Sequence, residues 1–514
     1  MRHNKEEFMR TMKRVAAVAL SVVVLMTSGV SAKAAVTDVQ PAKSSSEAVL
    51  KWAKKVGEPF DEKTYANNTV SKIKLVGNYL YVADDAKHRI MKIDKKDGTI
   101  LKEQKYCDES YIQGYVSSIG YGDGKVYVGY DNGRVQAFDE NTLESLWITD
   151  ENKNAINSDF VFTNGKLYFG TTAKTTDWYD NGAPFSYYVV TTSDDDKTKP
   201  DEEKTMKKVV ESKTGKFYLK KGVVLGKYIV ISDTAGTLTM IDTTNDKVTD
   251  TKDIGEAFSG NITYDEMTGT IYFVAGTNDL YGIKVSADGK LKDEKKVRLY
   301  ETGYSSTTPE VYNGKVYVSG SKGKAFQDKG YMAVADVSSD KYKVNYTVEL
   351  SNYSQCEPTI VKTGENSVRV YFTINDEPGG IYAIEDSKDA TSATLETVYE
   401  PTGDIKNTGC MSDVVVDEDG TIYFANDSKY IMSVGKKVED TKKSDVITVK
   451  PVTKTVKSTR SEKLTWKKKK SAKGYVIYAK AGKGKYKKVT TVGKKTSKTV
   501  SYTHLRAHET LANL

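Results

Sequence analysis

Two copies of one pentapeptide, Gly124-Lys125-Val126-Tyr127-Val128 and Gly314-Lys315-Val316-Tyr317-Val318, decide the fold. Looser copies share the same plan: Gly77-Asn78-Tyr79-Leu80-Tyr81-Val82, Gly165-Lys166-Leu167-Tyr168-Phe169, Gly226-Lys227-Tyr228-Ile229-Val230, Gly269-Thr270-Ile271-Tyr272-Phe273, Val368-Arg369-Val370-Tyr371-Phe372 and Gly420-Thr421-Ile422-Tyr423-Phe424. Seven of the eight central positions are Tyr, with Ile229 the exception, and they recur every 41 to 61 residues. Period-2 alternation bounded by turn residues every eight to twelve positions predicts short antiparallel strands. Units of about 40–50 residues, each holding about four strands, predict propeller blades, since one small sheet cannot bury both its faces alone. The expected fold is therefore all-β: an eight-bladed β-propeller, or seven-bladed if one motif is an insertion.

Composition narrows the class further. The chain has 514 residues with 39 Gly and 35 Tyr against 9 Pro and 3 Cys. These figures exclude a disulfide scaffold, a disordered chain and a collagen-like repeat. Arg2, Lys5, Arg10, Lys13 and Arg14 precede an apolar run from Val15 to Met26 and then Ala32-Lys33-Ala34. That order reads as a signal peptide over 1–34, hence an exported protein, secreted or associated with a cell wall. The overall charge of +8 conceals a division: residues 441–500 hold twenty Lys and Arg against two acidic residues, whereas residues 35–440 carry a net −14. An acidic body and a basic end predict two modules with different partners. For an exported chain the basic end points to a cell-wall polymer, an envelope glycan or protein, or a membrane surface touched peripherally, and not to nucleic acid. The expected domains are a propeller over 35–437, a linker over 438–445, a strand-rich module over 446–500 and a non-native tail over 501–514. A monomer is expected.

One segment carries a resemblance. Ala137-Phe138-Asp139-Glu140-Asn141-Thr142-Leu143-Glu144-Ser145-Leu146-Trp147 resembles the blade signature of quinoprotein-type (PQQ-like) propellers, with Leu143 where glycine is usual. Ile93-Asp94, Ile241-Asp242, Ala335-Asp336 and Ala383-Ile384-Glu385 echo it. Leu80–Asp84 with His88-Arg89-Ile90, and Val416–Gly420, also look like NHL-type repeats. The quinoprotein resemblance implies the fold. The quinone chemistry of that family would require a stacking Trp and an adjacent Cys pair; no two Cys are adjacent here, and Trp52 and Trp147 are expected on outer strands. No cofactor, metal ligand or catalytic residue is assigned. The C-terminal Lys463-Leu464-Thr465-Trp466 and Lys473-Gly474-Tyr475-Val476-Ile477-Tyr478 resemble the first half of a Lys-rich fibronectin type III module of exported Gram-positive proteins. Trp466, Tyr475 and Ile477 would be its core; such a sandwich needs about seven strands, and only part is present.

Candidate sites emerge from strand alternation, which puts B–C loops and D–A connections on one face, where a rigid scaffold commonly presents binding residues. An enlarged B–C loop contains Asp177, Trp178, Tyr179 and Asp180, a composition suited to stacking on a sugar or peptide, or to folding back onto the sheet. D–A connections carry Tyr65, Tyr111, Tyr115, Phe217, Phe258, Tyr304 and Tyr353; of these, Tyr304 and Tyr353 are ligand candidates unless the ring merely plugs the channel. Cys356 and Cys410 are read as matching positions in neighbouring blades, close enough for a disulfide if their Cα atoms lie within about 7 Å. The acidic run Asp194–Asp196 with Asp201–Glu203 lacks calcium-loop spacing and reads as a solvated C–D loop. His88 is the only His between residues 4 and 503, which leaves no imidazole base for most hydrolase schemes. The combined expectation is a non-enzymatic binding or scaffold module for a glycan or protein. The alternative is a carbohydrate-active glycosidase or lyase using loop carboxylates, which would need two carboxylates about 5–10 Å apart facing a cleft.

Overall fold

The alternating Val, Ile and Tyr residues do form strands. The structure, a computed structural model, describes residues 39–56, 70–84, 87–107, 119–174, 183–193, 202–324, 328–407 and 409–437, and then 452–454, 461–466, 474–479, 487–495 and 497–501. The chain divides into two compact units, Met1–Lys437 and Val438–Leu514. In the first unit, blade 1 shows the pattern: strand A (Lys74–Val76), B (Tyr79–Asp84), C (Arg89–Asp94) and D (Ile100–Lys105), antiparallel and hydrogen-bonded in that order. Seven more sheets repeat it, so the propeller has eight blades. The A strands of successive blades lie beside one another around the axis. No α-helix occurs among the described residues, which include a short 3-10 turn at Gly403–Ile405.

The glycine that opens the pentapeptide has a steric reason. The A–B hairpins turn on Asp123-Gly124, Asn164-Gly165 and Asn313-Gly314, with φ of +55° and +69°, +53° and +69°, and +50° and +79°. Two consecutive left-handed residues match the right-handed twist of the flanking strands, and Asn, Asp and Gly adopt that conformation most readily.

The central Tyr of strand B also has a repeated task. Its hydroxyl reaches the end of strand C or the C–D turn of the next blade: Tyr81 donates to the Glu140 carbonyl (2.6 Å), Tyr168 to Asp246 (2.6 Å), Tyr317 to Asp386 (2.8 Å) and Tyr423 to the Lys95 carbonyl (3.2 Å). Tyr127 departs from this and donates within its own blade to Gly122 (3.1 Å). The rings themselves are almost wholly buried. Apolar clusters straddle each junction: Tyr81, Ala83 and Ile90 of blade 1 pack with Val126, Val128 and Phe138 of blade 2, and seven similar clusters complete the circle. The core is thus a ring of interfaces between sheets, which is why no blade is stable by itself.

The ring is closed by the N-terminal strand. Ala48–Lys55 pairs antiparallel with Tyr430–Lys436 and supplies strand D of blade 8. The segment just before it occupies the place a C–D turn would fill, so Tyr371 of blade 7 donates to the Ala42 carbonyl (3.2 Å) and Arg369 to that of Lys43 (2.8 Å). Part of the acidic run has a different fate from the solvated loop expected. Glu202–Lys204 adds a parallel fifth strand to the outer edge of blade 2, along Trp147–Thr149.

In the second unit, Val452–Lys454, Ser461–Thr465 and Ser497–Ser501 form a three-stranded sheet, and Tyr475–Ala479 pairs with Lys487–Val492. Ile477 and Val492 are buried, and Trp466 packs edge-on against Tyr475 at 5.3 Å.

Candidate functional site

Strand A runs inward from the face that carries the B–C loops and D–A connections. Contacts confirm that these two sets of loops share a face. Tyr353, on the connection into blade 7, accepts a hydrogen bond from Asn375 in the B–C loop of that blade. Asn375 also accepts from the Cys410 N–H (2.8 Å), on the connection into blade 8. The first residues of each A strand therefore lie at this mouth of the axial channel.

Those residues are charged, and they converge. Lys72 (blade 1) pairs with Asp413 (blade 8) at 2.9 Å. Lys221 (blade 4) pairs with Glu357 (blade 7) at 2.9 Å, joining strands three blades apart and so spanning the bore. Asp413 accepts the Glu357 N–H (2.8 Å), and Asn261 of blade 5 accepts the Lys221 N–H (3.0 Å). Glu310 of blade 6 is 1% exposed beside Glu357, and its Oε1 has no hydrogen-bond partner. Asp159 of blade 3 and Lys74 of blade 1 complete the electrostatic neighbourhood.

The environment splits these groups. Burial, reinforced by the Glu357 charge, raises the Glu310 carboxyl well above the usual carboxylate range and so favours its protonated form. Glu357 experiences the same burial, but the Lys221 and Lys72 ammoniums outweigh it and bring its pKa down to about 2. One proton shared between two carboxylates satisfies the otherwise orphaned oxygen of Glu310. Burial also works against the Lys72 charge, yet Asp413, Asp159 and Glu357 together hold its pKa above the ordinary value. Lys74, by contrast, is lowered by burial and by repulsion from Lys221. Beside this cluster, Lys220 is 3% exposed and donates to the Phe258 and Gly260 carbonyls (3.0 and 2.6 Å); burial pushes its pKa down to about 7. Ion pairs and a hydrogen-bonded carboxyl pair thus cross the mouth of the channel.

The residues singled out from sequence fare differently. Asp177, Trp178, Tyr179 and Asp180 lie outside the described residues, as do Tyr65, Tyr111 and Tyr115. Tyr304 is half-buried, and its backbone pairs with Ser321 at the end of strand B of blade 6 (3.0 and 2.8 Å). Tyr353 is half-buried on the neighbouring connection, held by Asn375; burial moves both phenols up. Phe217 and Phe258 are buried, packed on Tyr187 (5.2 Å) and Phe273 (4.6 Å), so they belong to the sheet junctions rather than the mouth. Trp52 and Trp147 do stand on outer strands.

The cysteine pairing needs correction. Cys356 and Cys410 are buried, unbonded thiols. Thr359 faces Tyr371 and Val415 faces Tyr423, so the residue of blade 8 equivalent to Cys356 is Ser412, two positions beyond Cys410. Cys356 and Ser412 do the same work in their blades, each accepting a strand-B N–H, from Thr373 and Ala425 (both 3.2 Å). Each thiol points to its own blade, Cys356 to the Thr373 carbonyl (3.7 Å) and Cys410 to that of Ala425 (3.5 Å).

The charged cluster itself was missed at the sequence level. A faint signal existed: Lys72 and Asp159 each stand nine residues ahead of the central Tyr of their blade. Variable A–B turns blur that register in the later blades.

No protein-family model matches the chain, and no curated protein matches its sequence. Among solved structures, it is similar to BamB from Moraxella catarrhalis, at 12% identity and a TM-score of 0.51, over 76% of this chain and 98% of that one. It is also similar to the quinohemoprotein alcohol dehydrogenase ADHIIG from Pseudomonas putida HK5, at 11% identity and a TM-score of 0.53, over 77% and 78%. The chain shares the β-propeller fold of these structures. At such identities the likeness concerns fold alone. In the segment that resembles the quinoprotein-type signature, Leu143, where glycine is usual, adopts the left-handed conformation (φ +58°) with its side chain fully buried.

Proposed function

We propose that this chain is an exported, non-enzymatic propeller that serves at a bacterial cell envelope as a binding or scaffold module, its channel-mouth face engaging a glycan or protein. The observation that carries this reading is the pair of ion bridges, Lys221–Glu357 and Lys72–Asp413, that cross the channel mouth, so a ligand first meets a rim of loops. The rim carries Tyr304 and Tyr353, and strand alternation in the sequence assigns the Trp178 loop to the same face; amphipathic aromatics of this kind suit a flat contact. A glycan and cell-wall array probed with the full chain and with Trp178→Ala and Tyr353→Ala tests it. Binding reduced tenfold or more by either substitution supports the mouth as the contact face. Full binding by both variants overturns it.

One observation favours the enzymatic alternative, a glycosidase or lyase. Glu310 and Glu357 have pKa values driven apart, as an acid and a base require. Their closeness and the sealing of Glu310 argue against room for a sugar between them. Release of reducing ends or unsaturated products from any polysaccharide, abolished by Glu357→Gln, would establish catalysis.

A further inference from the structure

Blades 1 and 2 present the same outer sheet edge, and among the described residues it is covered in blade 2 and open in blade 1. Strand D of blade 1, Ile100–Lys105, is exposed over its last five residues, Leu101 (43%) included. In blade 2 the corresponding edge, along Trp147–Thr149, is taken by the added parallel strand Glu202–Lys204.

The covered edge shows how the open one can be used. Register equates the two blades residue by residue. Lys92 pairs with the central Tyr81 and Ala137 with Tyr127, so Arg89 and Arg134, each three residues earlier, hold one position. Across to strand D, Lys102 pairs with Lys92 and Trp147 with Ala137, so these two also correspond. In blade 2, Arg134 donates to the Thr149 carbonyl (2.9 Å) of strand D and pairs with Glu203 of the added strand (3.0 Å). The Asp150 N–H points the same way and donates to the Lys204 carbonyl (2.9 Å). The counterpart of Asp150 in blade 1 is Lys105. There the Tyr106 N–H donates back to the His88 carbonyl (2.9 Å), so alternation turns the N–H groups of Glu103 and Lys105 outward, as in blade 2.

The charge at the open edge selects what can pair with it. Lys87, Arg89 and Lys105 line a groove of about 590 Å³ together with Glu103 and Gln104, and Lys102 is exposed on the same strand. The one acid among these residues, Glu103, is engaged by Arg89. Lysines on an edge strand oppose pairing with the same edge of a second copy. They favour a strand of opposite charge, since cross-strand pairs of unlike charge are stabilising. The strand already seated on blade 2 brings two glutamates to the arginine that blade 1 repeats.

We propose that the outer edge of blade 1 takes an acidic extended segment of a partner protein as a fifth strand, paired along Lys102–Lys105 as Glu202–Lys204 is paired in blade 2. Backbone hydrogen bonds supply the affinity, and Arg89, Lys102 and Lys105 supply the preference for acidic sequence. This surface lies on the outer circumference of the ring, so the inference goes beyond the reading of the mouth and stands independently of it.

The test uses the full chain and a short fluorescent peptide that alternates valine with glutamate. Binding is expected in fluorescence anisotropy, and a fully N-methylated form and a valine–lysine counterpart are each expected to bind about tenfold more weakly or worse. Lys102→Glu combined with Lys105→Glu is expected to reverse the preference between the two charged peptides. Glu103→Pro removes an outward N–H that the blade's own ladder does not use, so it is expected to weaken binding about tenfold while keeping the folded circular dichroism spectrum. Amide hydrogen exchange over residues 100–106 is expected to slow when the acidic peptide is added, with strand D of blade 4, Lys247–Asp253, unchanged. Equal binding of the N-methylated peptide, or full binding by folded Glu103→Pro, overturns strand addition in favour of charge attraction alone. Absence of binding by the acidic peptide, an unchanged preference in the charge-reversed variant, or slowed exchange at another strand instead overturns the assignment of this edge.

Discussion

The junction between blades 6 and 7 and the mouth of the channel use the same pair of groups in opposite ways. At the junction, Lys315 meets Asp386 at 3.0 Å with both side chains nearly sealed, 8% and 1% exposed, and Tyr317 and Tyr346 donate to the same carboxylate (2.8 and 2.5 Å). At the mouth, Lys221 meets Glu357 at 2.9 Å, but 30% of the lysine side chain remains accessible and the neighbouring carboxyl shares a proton instead of accepting donors. The first arrangement recurs, as Lys166 and Tyr168 with Asp246 between blades 3 and 4. The second occurs once in the described residues and draws its charged groups from six blades. Repetition marks what holds the ring together, and departure from the repeat marks where the molecule differs from a bare scaffold.

The sharpest way to break that comparison is to remove one carboxylate from each place. Asp386→Ala leaves a buried ammonium and two buried hydroxyls without their acceptor, and is expected to cost about 3–5 kcal/mol in urea unfolding. Glu357→Gln is expected to cost less, about 1–3 kcal/mol, because the neutral amide still accepts from Lys221 and Lys221 keeps access to water. Equal costs would erase the distinction between the two sites.

Next in size is Leu143→Gly, which restores the residue usual in the quinoprotein-type signature. Relief of the left-handed backbone is worth about 1–2 kcal/mol, whereas deleting a fully buried leucine side chain costs about 2–5 kcal/mol. A net loss of roughly 1–3 kcal/mol is expected, read as a lower urea midpoint. A gain in stability would show that the junction between blades 1 and 2 repacks without it.

The smallest expected effect is a change of slope. The folded-state pKa of Glu310 is raised, so the folded chain binds more protons than the unfolded one above about pH 4.5, and stability declines as pH rises from there through the folded value. Glu310→Gln keeps an N–H donor toward Glu357 and titrates no proton, so the decline is expected to flatten in thermal melts across that range. Glu357, lowered to about 2, contributes stability that is lost as pH falls from about 4.5 toward 2. An unchanged slope in Glu310→Gln would mean the two carboxyls do not share a proton.

Strand-B Tyr motifs pointed to eight blades, with seven left open, because each blade solves one local problem, a tight hairpin plus a buried face, with nearly the same residues. The task of the Tyr hydroxyl was not legible: its acceptor lies 59 residues away for Tyr81 and 78 for Tyr168, in the next blade. The cysteine pairing failed for a related reason. Counting from motif to motif slipped by two residues, and only the pairing of Thr359 with Tyr371 and Val415 with Tyr423 sets the register.

By itself, then, the amino-acid order determined an all-β ring of eight blades with an acidic body and a basic end, since alternation, turn chemistry and charge are local or additive properties. The tertiary structure alone decided that Ala48–Lys55 closes the ring and that Lys72, Lys221, Glu310, Glu357 and Asp413 meet at the axis. Closing a circle places residues hundreds of positions apart at one point, and the burial and mutual fields that set their protonation exist only there.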